Sequence, residues 1–257
     1  MNITTKKAFG KPLLYKGLNI YPVKMKDADE FYDAVQCLLL PKNDFQQPEI
    51  IRMSYFLFLL VMAQNDGGHE ILDKLISLYR LVFKTEDIQI STNEKGMALM
   101  LVNGISLHER DFDNIKTIIS EQNLIDLDDE FIDPGTKKAI QEARAFMAKR
   151  KTRQADLEQQ IIAYHCKSGL PYHEIEHLTL YQFHKGLIRM DYILSSDAIL
   201  HARYSGMIEF KNEQDLPYWL GHIEEPKKNE DVIITKSAFD QQMKKLGLEP
   251  SSNKNNN

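Results

Sequence analysis

The chain has 257 residues, of which 43% are hydrophobic, so it is long enough and apolar enough to bury a substantial core. With 32 basic and 37 acidic residues its formal net charge is −5, which argues against a protein that binds nucleic acid over its whole surface. The two cysteines, Cys37 and Cys166, are too few for a disulfide scaffold or a cysteine zinc site and suit a reducing cytoplasm. Because the polar start of the chain lacks the apolar stretch of a signal peptide, we expect an intracellular protein.

The first third of the chain predicts an extended segment followed by helices. Pro12–Val23 is typical of a short hairpin or an extended arm, and Lys26–Leu40, Pro48–Asn65 and Glu70–Lys84 each have the spacing of a helix. The most apolar run, Met53–Ala63, is much shorter than the roughly 20 residues that a membrane-spanning helix needs. We therefore interpret it as the centre of a buried helix and expect no membrane partner.

The period of the apolar residues then changes from that of a helix to that of a strand. Within Asp87–Leu107, Ile88 and Ile90 alternate with polar residues and Met97–Val102 is a continuous apolar run, followed by Asn103-Gly104, a strong signal for a tight hairpin turn. This segment predicts a small antiparallel meander. Glu109–Asn123 follows with its apolar residues on one helical face.

A reversal of charge marks the predicted domain boundary. Asp126–Asp133 contains five acidic residues, Pro134-Gly135 breaks the chain, and Thr136–Arg153 is basic and helical in propensity. Because the acidic run can neutralise the basic one, we expect no nucleic-acid partner here. The predicted division is an N-terminal α+β domain (1–130), a charged linker or helix (131–152), a helical domain (153–248) and a disordered tail (249–257). The fold class is α+β, with helices predominating.

The C-terminal region contains the best-defined element, a long helix that begins near Leu180. Thr179 and Gln182 have the spacing of a capping box, in which each side chain satisfies a backbone N–H of the first turn. Helices are also predicted at Ala155–Lys167 and Lys236–Leu246. One face of the long helix is first bulky and then small, which predicts close packing on another helix of the protein or of a partner. This face comprises Leu180, Phe183, Leu187, Met190, Leu194, Ala198, Ala202 and Gly206.

The stretch from His173 to His177 matches the H-E-x-x-H pattern of zinc peptidases, in which the histidines bind zinc and Glu174 would activate water. The context is unfavourable, because Glu176 places a charge between the histidines and the cap at Thr179 leaves a motif helix of only about two turns. No third ligand stands at a recognisable spacing. We interpret the segment as an exposed short helix and expect no cofactor, with a zinc-dependent hydrolase as the alternative.

Two further patterns have a functional and a structural interpretation. His165, Cys166 and His201 carry side chains that bind metals, but such residues are also common on half-buried helices. Gly169–Arg189 has the order of a helix-turn-helix, yet the start of its would-be recognition helix, Leu180–His184, has no Arg, Lys or Asn to read base edges. A DNA-binding regulator is therefore a second alternative.

Five stretches carry a resemblance to a known family: the end of the N-terminal arm, an acidic helical start, a central helix, the opening of the long helix and a segment after it. They are Ile20–Val23, Lys26–Tyr32, Phe112–Asn123, Leu178–Phe183 and Tyr204–Glu209. Together with the apolar helix between them, they make the chain similar to tail assembly chaperones and related tail proteins of tailed bacteriophages of Gram-positive bacteria. The resemblance extends over roughly residues 10–225.

The resemblance implies a helical, non-enzymatic protein that is made beside the tail tape-measure protein and keeps it soluble while the tail forms. A baseplate or other virion component is the neighbouring possibility. The implied location is the host cytoplasm or the virion, and the implied partners are other phage tail proteins, among them the tape-measure protein. Oligomerisation is left open. The predicted partner-binding residues are Leu180, Phe183, Leu187, Leu194, Ala198, Ala202 and Gly206, unless this face is the core of the protein itself.

Overall fold

The computed structural model describes residues 2–42, 47–65, 68–92, 97–127, 134–148, 155–206 and 218–223. Helices predominate and two small antiparallel sheets accompany them, which confirms the predicted α+β class. The helices are α1 (Ile3–Ala8), α2 (Ala28–Ala34), α3 (Pro48–Arg52), α4 (Tyr55–Ala63), α5 (His69–Phe83), α6 (Glu109–Asn123), α7 (Pro134–Ala148), α8 (Leu157–Ser168), α9 (Tyr172–Ile175) and α10 (Leu180–Tyr204). Short 3-10 turns, Met25–Asp27 and Val35–Leu39, lie on either side of α2.

Both sheets form where the sequence predicts them. Strands β1 (Leu13–Tyr15) and β2 (Leu18–Ile20) pair as an antiparallel hairpin. Strands β3 (Ile88–Thr92), β4 (Ala98–Val102) and β5 (Ile105–His108) form the antiparallel meander in the order β3-β4-β5. The turn between β4 and β5 has φ angles of 51° at Asn103 and 73° at Gly104, in the left-handed region that these two residue types tolerate.

The apolar run Met53–Ala63 lies at the centre of the core. It does not form one continuous helix with the residues that precede it. The predicted helix Pro48–Asn65 is divided into α3 and α4. Ser54 has an extended backbone and its hydroxyl accepts a 3.2 Å hydrogen bond from the Leu57 N–H. A serine in this position caps a new helix more readily than it continues an old one.

Aromatic stacking connects α4 to the neighbouring helices. Phe112 of α6 stacks on Phe56 of α4 with ring centroids 4.7 Å apart, and on Tyr79 of α5 at 6.0 Å. The three side chains are at most 1% exposed. Burial of aromatic rings of this size supplies a large share of the hydrophobic stabilisation of a small core.

The helices after the charged boundary pack onto the N-terminal core. The chain divides into two compact units, one of Met1–Phe131 with Ala155–Trp219 and the other of Ile132–Gln154 with Leu220–Asn257. This division differs from the predicted one, because α10 packs against α1 and α6 of the N-terminal region. Burial of apolar helix faces decides such a boundary, and the charge pattern of the sequence does not report it.

Helix α7 is the main described element of the second unit. It begins at Pro134, where the sequence analysis placed a chain break, because proline is well suited to the first turn of a helix. The predicted helix Lys236–Leu246 and the predicted tail 249–257 lie outside the described residues. Within the described part of the chain, no helix has both the length and the hydropathy that crossing a membrane would require.

Candidate partner-binding surface

The long helix α10 starts with the predicted capping box. The Gln182 N–H donates to the Thr179 hydroxyl at 3.2 Å, and the Thr179 N–H donates to the Gln182 side-chain oxygen at 2.9 Å. The Gln182 amide also donates to the carbonyl of Ala8 at 3.0 Å, so the same side chain attaches α1 to the start of α10. The sequence therefore determines both where this helix begins and part of its contact with the N-terminus.

Backbone hydrogen bonds connect the residues before α10 to the segment after β2. Lys24 and Thr179 form an isolated antiparallel bridge. The Met25 N–H donates to the Leu178 carbonyl at 2.8 Å, and the Leu180 N–H donates to the Val23 carbonyl at 2.9 Å. The first turn of α10 is thus covered by the N-terminal region, which is unlike the free recognition helix of a helix-turn-helix protein.

Helices α8 and α10 approach each other closely at Gly186. A Cβ atom built at Gly186 would lie 2.8 Å from the Tyr164 hydroxyl oxygen and 2.9 Å from a carbon of its ring. The Tyr164 ring also stacks on Phe183, with centroids 5.0 Å apart. Glycine is therefore the residue that this contact requires, although the sequence analysis placed the close approach further along the helix.

The predicted partner-binding row on α10 is buried at its start and exposed at its end. Leu180 and Phe183 are 0% exposed, so they belong to the core and offer no surface to a partner. Leu187 is partly buried, whereas Leu194 is 45% exposed. The first half of the row therefore corresponds to the alternative interpretation, in which this face is the protein's own core.

The small residues of the row do not form the predicted tight contact within the described part of the chain. Ala198 and Gly206 are exposed and Ala202 is partly exposed. Gly206 follows the helix with a φ of 76°, and no described atom lies within 4 Å of a Cβ built there. Its role in the fold is to end the helix in the left-handed conformation, while partner binding by Leu194, Ala198 and Ala202 stays a prediction.

A polar contact between α2 and α10 lies beside the buried half of the row. The Tyr32 hydroxyl and the His184 Nε2 are 2.9 Å apart. Burial lowers the pKa of His184, because the surrounding protein disfavours the charged imidazolium. The neutral ring with its tyrosine partner is therefore the form that the folded protein favours.

The polar side chains of the H-E-x-x-H segment are exposed, and each histidine lies near the adjacent glutamate, whereas Ile175 between them is buried. Helix α9 ends at Ile175, before His177, so the motif does not lie on one regular helix. The His173 Nε2 is 3.7 Å from Glu174, and the His177 Nε2 is 3.8 Å from Glu176. Among the described residues, no three His, Cys, Asp or Glu side chains come together as a metal site would need.

The other histidines and cysteines named from the sequence are not grouped together. The two histidines make local structural contacts. His165 has its Nδ1 2.7 Å from the Leu170 carbonyl oxygen and stacks on Tyr172. His201 has its Nδ1 2.7 Å from the carbonyl oxygen of Asp197, on its own helix. Cys166 is exposed, and burial raises the pKa of the Cys37 thiol to about 12, which makes it a poor nucleophile.

An open apolar groove lies along α8. Its volume is about 490 Å³, and it is bounded by α8, by Tyr172 of α9 and by Asp29 of α2. Ile161 and Ile162 are among its lining residues, and Ile162 is 37% exposed. The acidic residues Asp29 and Glu158 also line it. An apolar strip beside acidic side chains can accept an amphipathic helix that carries basic residues along its flank.

Residues 148–224 match a family model described as the YomV second domain, a phage-derived family of the Bacillus phage SPBc2 kind. The matched segment includes α8, α9 and α10, and therefore five of the six residues that line the groove and the exposed end of the α10 row. No curated protein and no solved structure matches the chain. The family match indicates a phage-associated protein, which is the broader part of what the resemblance implied.

The groove was not predicted from the sequence because one of its lining residues, Asp29, is distant in the chain from the other five. The local signal was present in Ile162, an apolar residue beside the inward face of α8, and in Tyr172, an aromatic residue in a polar turn. Each is a common surface residue when taken alone. Only the fold brings them next to Asp29, which precedes them by more than a hundred residues.

Proposed function

We propose that this protein is a non-enzymatic assembly protein of a bacteriophage tail, and that it binds a helical segment of another tail protein. The tape-measure protein is the first candidate partner, with a role as a tail or baseplate component as the alternative. The observation that carries the proposal is that the segment matching a phage family also contains most of the exposed large apolar side chains of the described residues. These include Ile162, Tyr172, Ile188, Leu194, Tyr204 and Trp219.

Exposed apolar side chains that lie together on one segment are typical of a binding surface. Burying one side chain of this kind against a partner stabilises the complex by about 1.5–3 kcal/mol before the cost of association. A protein that holds a long helical partner in solution needs such a surface and needs no catalytic group. The groove and the exposed end of the α10 row offer that surface on the phage-related segment.

Charge supports a helix with basic flanks as the occupant of the groove. Asp29 and Glu158 line the groove, and both residues are exposed. Neither carboxylate takes part in an ion pair between described residues. Lysine or arginine residues on the flank of a bound helix would form ion pairs with these two carboxylates. Such pairs favour one orientation of the helix, and they raise the association rate more than the affinity.

The test is co-expression with the tape-measure protein of the same phage, followed by measurement of its soluble fraction and of co-purification. Ile162→Asp and Tyr172→Asp should each reduce both quantities at least tenfold. Leu14→Asp is the matched control, because Leu14 is 67% exposed on β1, away from the groove residues. Equal loss in the groove variants and in the control would count against the groove.

A charge-reversal pair tests the orientation of the bound helix. Asp29→Lys with Glu158→Lys should lower the association rate, and the loss should shrink as salt is added. Asp73→Lys with Asp87→Lys makes the same change in net charge at other exposed acids. Co-purification with a baseplate protein in place of the tape-measure protein would assign the alternative role, and binding to no tail protein at all would overturn the proposal.

A further inference from the structure

A second cavity, distinct from the groove, lies between the segment after β2 and the end of α5. Its volume is about 270 Å³, and three lysines line it together with one aspartate and three apolar residues. The lining residues are Pro22, Val23, Lys24, Lys26, Asp27, Leu81 and Lys84. Neither the resemblance nor the family match assigns a role to this cavity, which we name the lysine pocket.

The backbone around the lysine pocket is fixed on two sides. The Tyr21 N–H donates to the Val82 carbonyl at 2.8 Å, which attaches the segment after β2 to α5. The Lys26 N–H donates to the Glu176 carbonyl at 3.0 Å, which attaches the other side to the turn after α9. Lys84 ends α5 in the left-handed conformation, and its Nζ lies 4.4 Å from the centre of the Tyr21 ring. The three lysines therefore project from a rigid frame.

The charge of the lysine pocket is not compensated inside the described structure. Three lysines and one aspartate line it, and no ion pair between described residues includes any of the four side chains. The nearby C-terminus of α5 adds a partial negative charge of about 0.5. A clear positive excess remains. Val23 is only 4% exposed and forms an apolar wall, which screens the lysines less than water would.

We propose that the lysine pocket binds a phosphate group, either as free phosphate or as the phosphate of a small phosphate ester. A phosphate ester carries a charge of about −1.5 to −2 at neutral pH, so it gains more from three lysines than a single carboxylate does. Lysine acts as a mobile point charge, which suits a tetrahedral oxyanion approached from several directions. Asp27 would lower the affinity for any anion, and the three lysines have to outweigh it.

The test is titration of the full chain with inorganic phosphate at low ionic strength, followed by thermal unfolding and by NMR of the backbone amides. We expect a saturable rise in melting temperature and shifts at residues around the lysine pocket, with chloride at the same ionic strength as the reference. Lys26→Gln with Lys84→Gln should weaken the response at least tenfold. Lys11→Gln with Lys167→Gln removes the same charge from exposed lysines elsewhere and should leave the response intact.

The outcomes separate this site from general charge effects. A non-saturable response, or equal loss in the two double variants, would overturn the proposal. Titration with glycerol 3-phosphate then separates free phosphate from a phosphate ester, since the tighter ligand of the two identifies the source. A short DNA duplex that binds through Lys26 and Lys84 when neither phosphate compound does would also overturn it, and would assign the surface to nucleic acid instead. Far-UV circular dichroism of both double variants checks that they fold.

Discussion

The two halves of α10 share one sequence pattern but lie in different surroundings. In the first half, Phe183 is 0% exposed and stacks on Tyr164, while Gly186 lies in direct contact with the same ring. In the second half, Leu194 is 45% exposed and Ala198 faces solvent. The apolar period continues across both halves, so the period reports a helical face but not what covers it.

The two halves of α10 have different structural roles. Residues of the first half stabilise the fold, because they are enclosed by α8 and by the N-terminal region. Exposed residues of the second half contribute little to folding and are available to a partner. Substitutions in matched positions of the two halves can therefore separate stability from binding.

The largest expected effect is at Phe183. Phe183→Ala should lower the free energy of unfolding by about 3–5 kcal/mol, because it removes a fully buried ring and leaves a cavity beside Tyr164. Leu194→Ala in the second half should cost less than about 1 kcal/mol, since the side chain is already partly in water. Urea unfolding followed by circular dichroism measures both. If Phe183→Ala does not fold, Phe183→Leu keeps the comparison, and equal losses at the two sites would contradict it.

The next effect concerns the close approach at Gly186. Gly186→Ala forces a methyl group against Tyr164, at a cost of about 1–3 kcal/mol, while the gain in helix propensity returns up to about 1 kcal/mol. We expect a net loss of about 1–2 kcal/mol in urea unfolding. Adding Tyr164→Phe removes the nearest atom and should restore part of the loss. A variant more stable than the parent would show that the helices can separate at no cost.

A smaller effect depends on pH. Because the pKa of His184 is lowered in the folded protein, the unfolded chain binds a proton more readily, and this histidine removes stability as pH falls below its ordinary value of about 6.5. His184→Gln should flatten the decline in unfolding free energy between neutral pH and pH 5. His201→Gln, at an exposed histidine of the second half, is the matched control variant. The same slope in both variants would show that the contact with Tyr32 does not matter for this decline.

The smallest expected effect on stability is at Ala202. Ala202→Leu should change the free energy of unfolding by no more than about 0.5 kcal/mol, because the site is partly exposed on the second half of α10. If the row binds a partner, the fold survives and co-purification of the tail protein is lost. A marked fall in melting temperature would instead reveal an internal contact at this position. A variant with an unchanged melting temperature and unchanged partner binding would show that the row only faces solvent.

Local signals in the sequence predicted much of the secondary structure. The capping box at Thr179, the turn at Asn103-Gly104 and the bounds of Glu109–Asn123 all depend on residues close together in the chain, and the structure confirms them. The division of Pro48–Asn65 could also have been predicted locally, from the helix cap at Ser54. The strong apolar period on both sides of Ser54 favoured one continuous helix instead. Element type was therefore more predictable than element boundaries.

Tertiary contacts were much less predictable. The packing of α10 on α1 and α6 depends on backbone bonds between residues such as Val23 and Leu180, which no local pattern reports. The close approach was expected at Ala198, Ala202 and Gly206 because small residues recur there. The close approach occurs at Gly186 instead, because the facing residue, Tyr164, has a large flat ring that leaves no room for a side chain at that position. A pattern on one helix cannot show which residue the opposite helix contributes.

The bridge between Lys24 and Thr179 also affects how the protein is made. The two residues of this bridge leave the ribosome about 155 residues apart, which at synthesis rates of roughly 5–20 residues per second means a delay of about 8–31 seconds. During that interval the face that α10 will cover has no native partner. A nascent chain stalled before residue 179 should bind host chaperones more strongly than one stalled after α10 has emerged. The order of synthesis thus gives the N-terminal region its own period of dependence on chaperones.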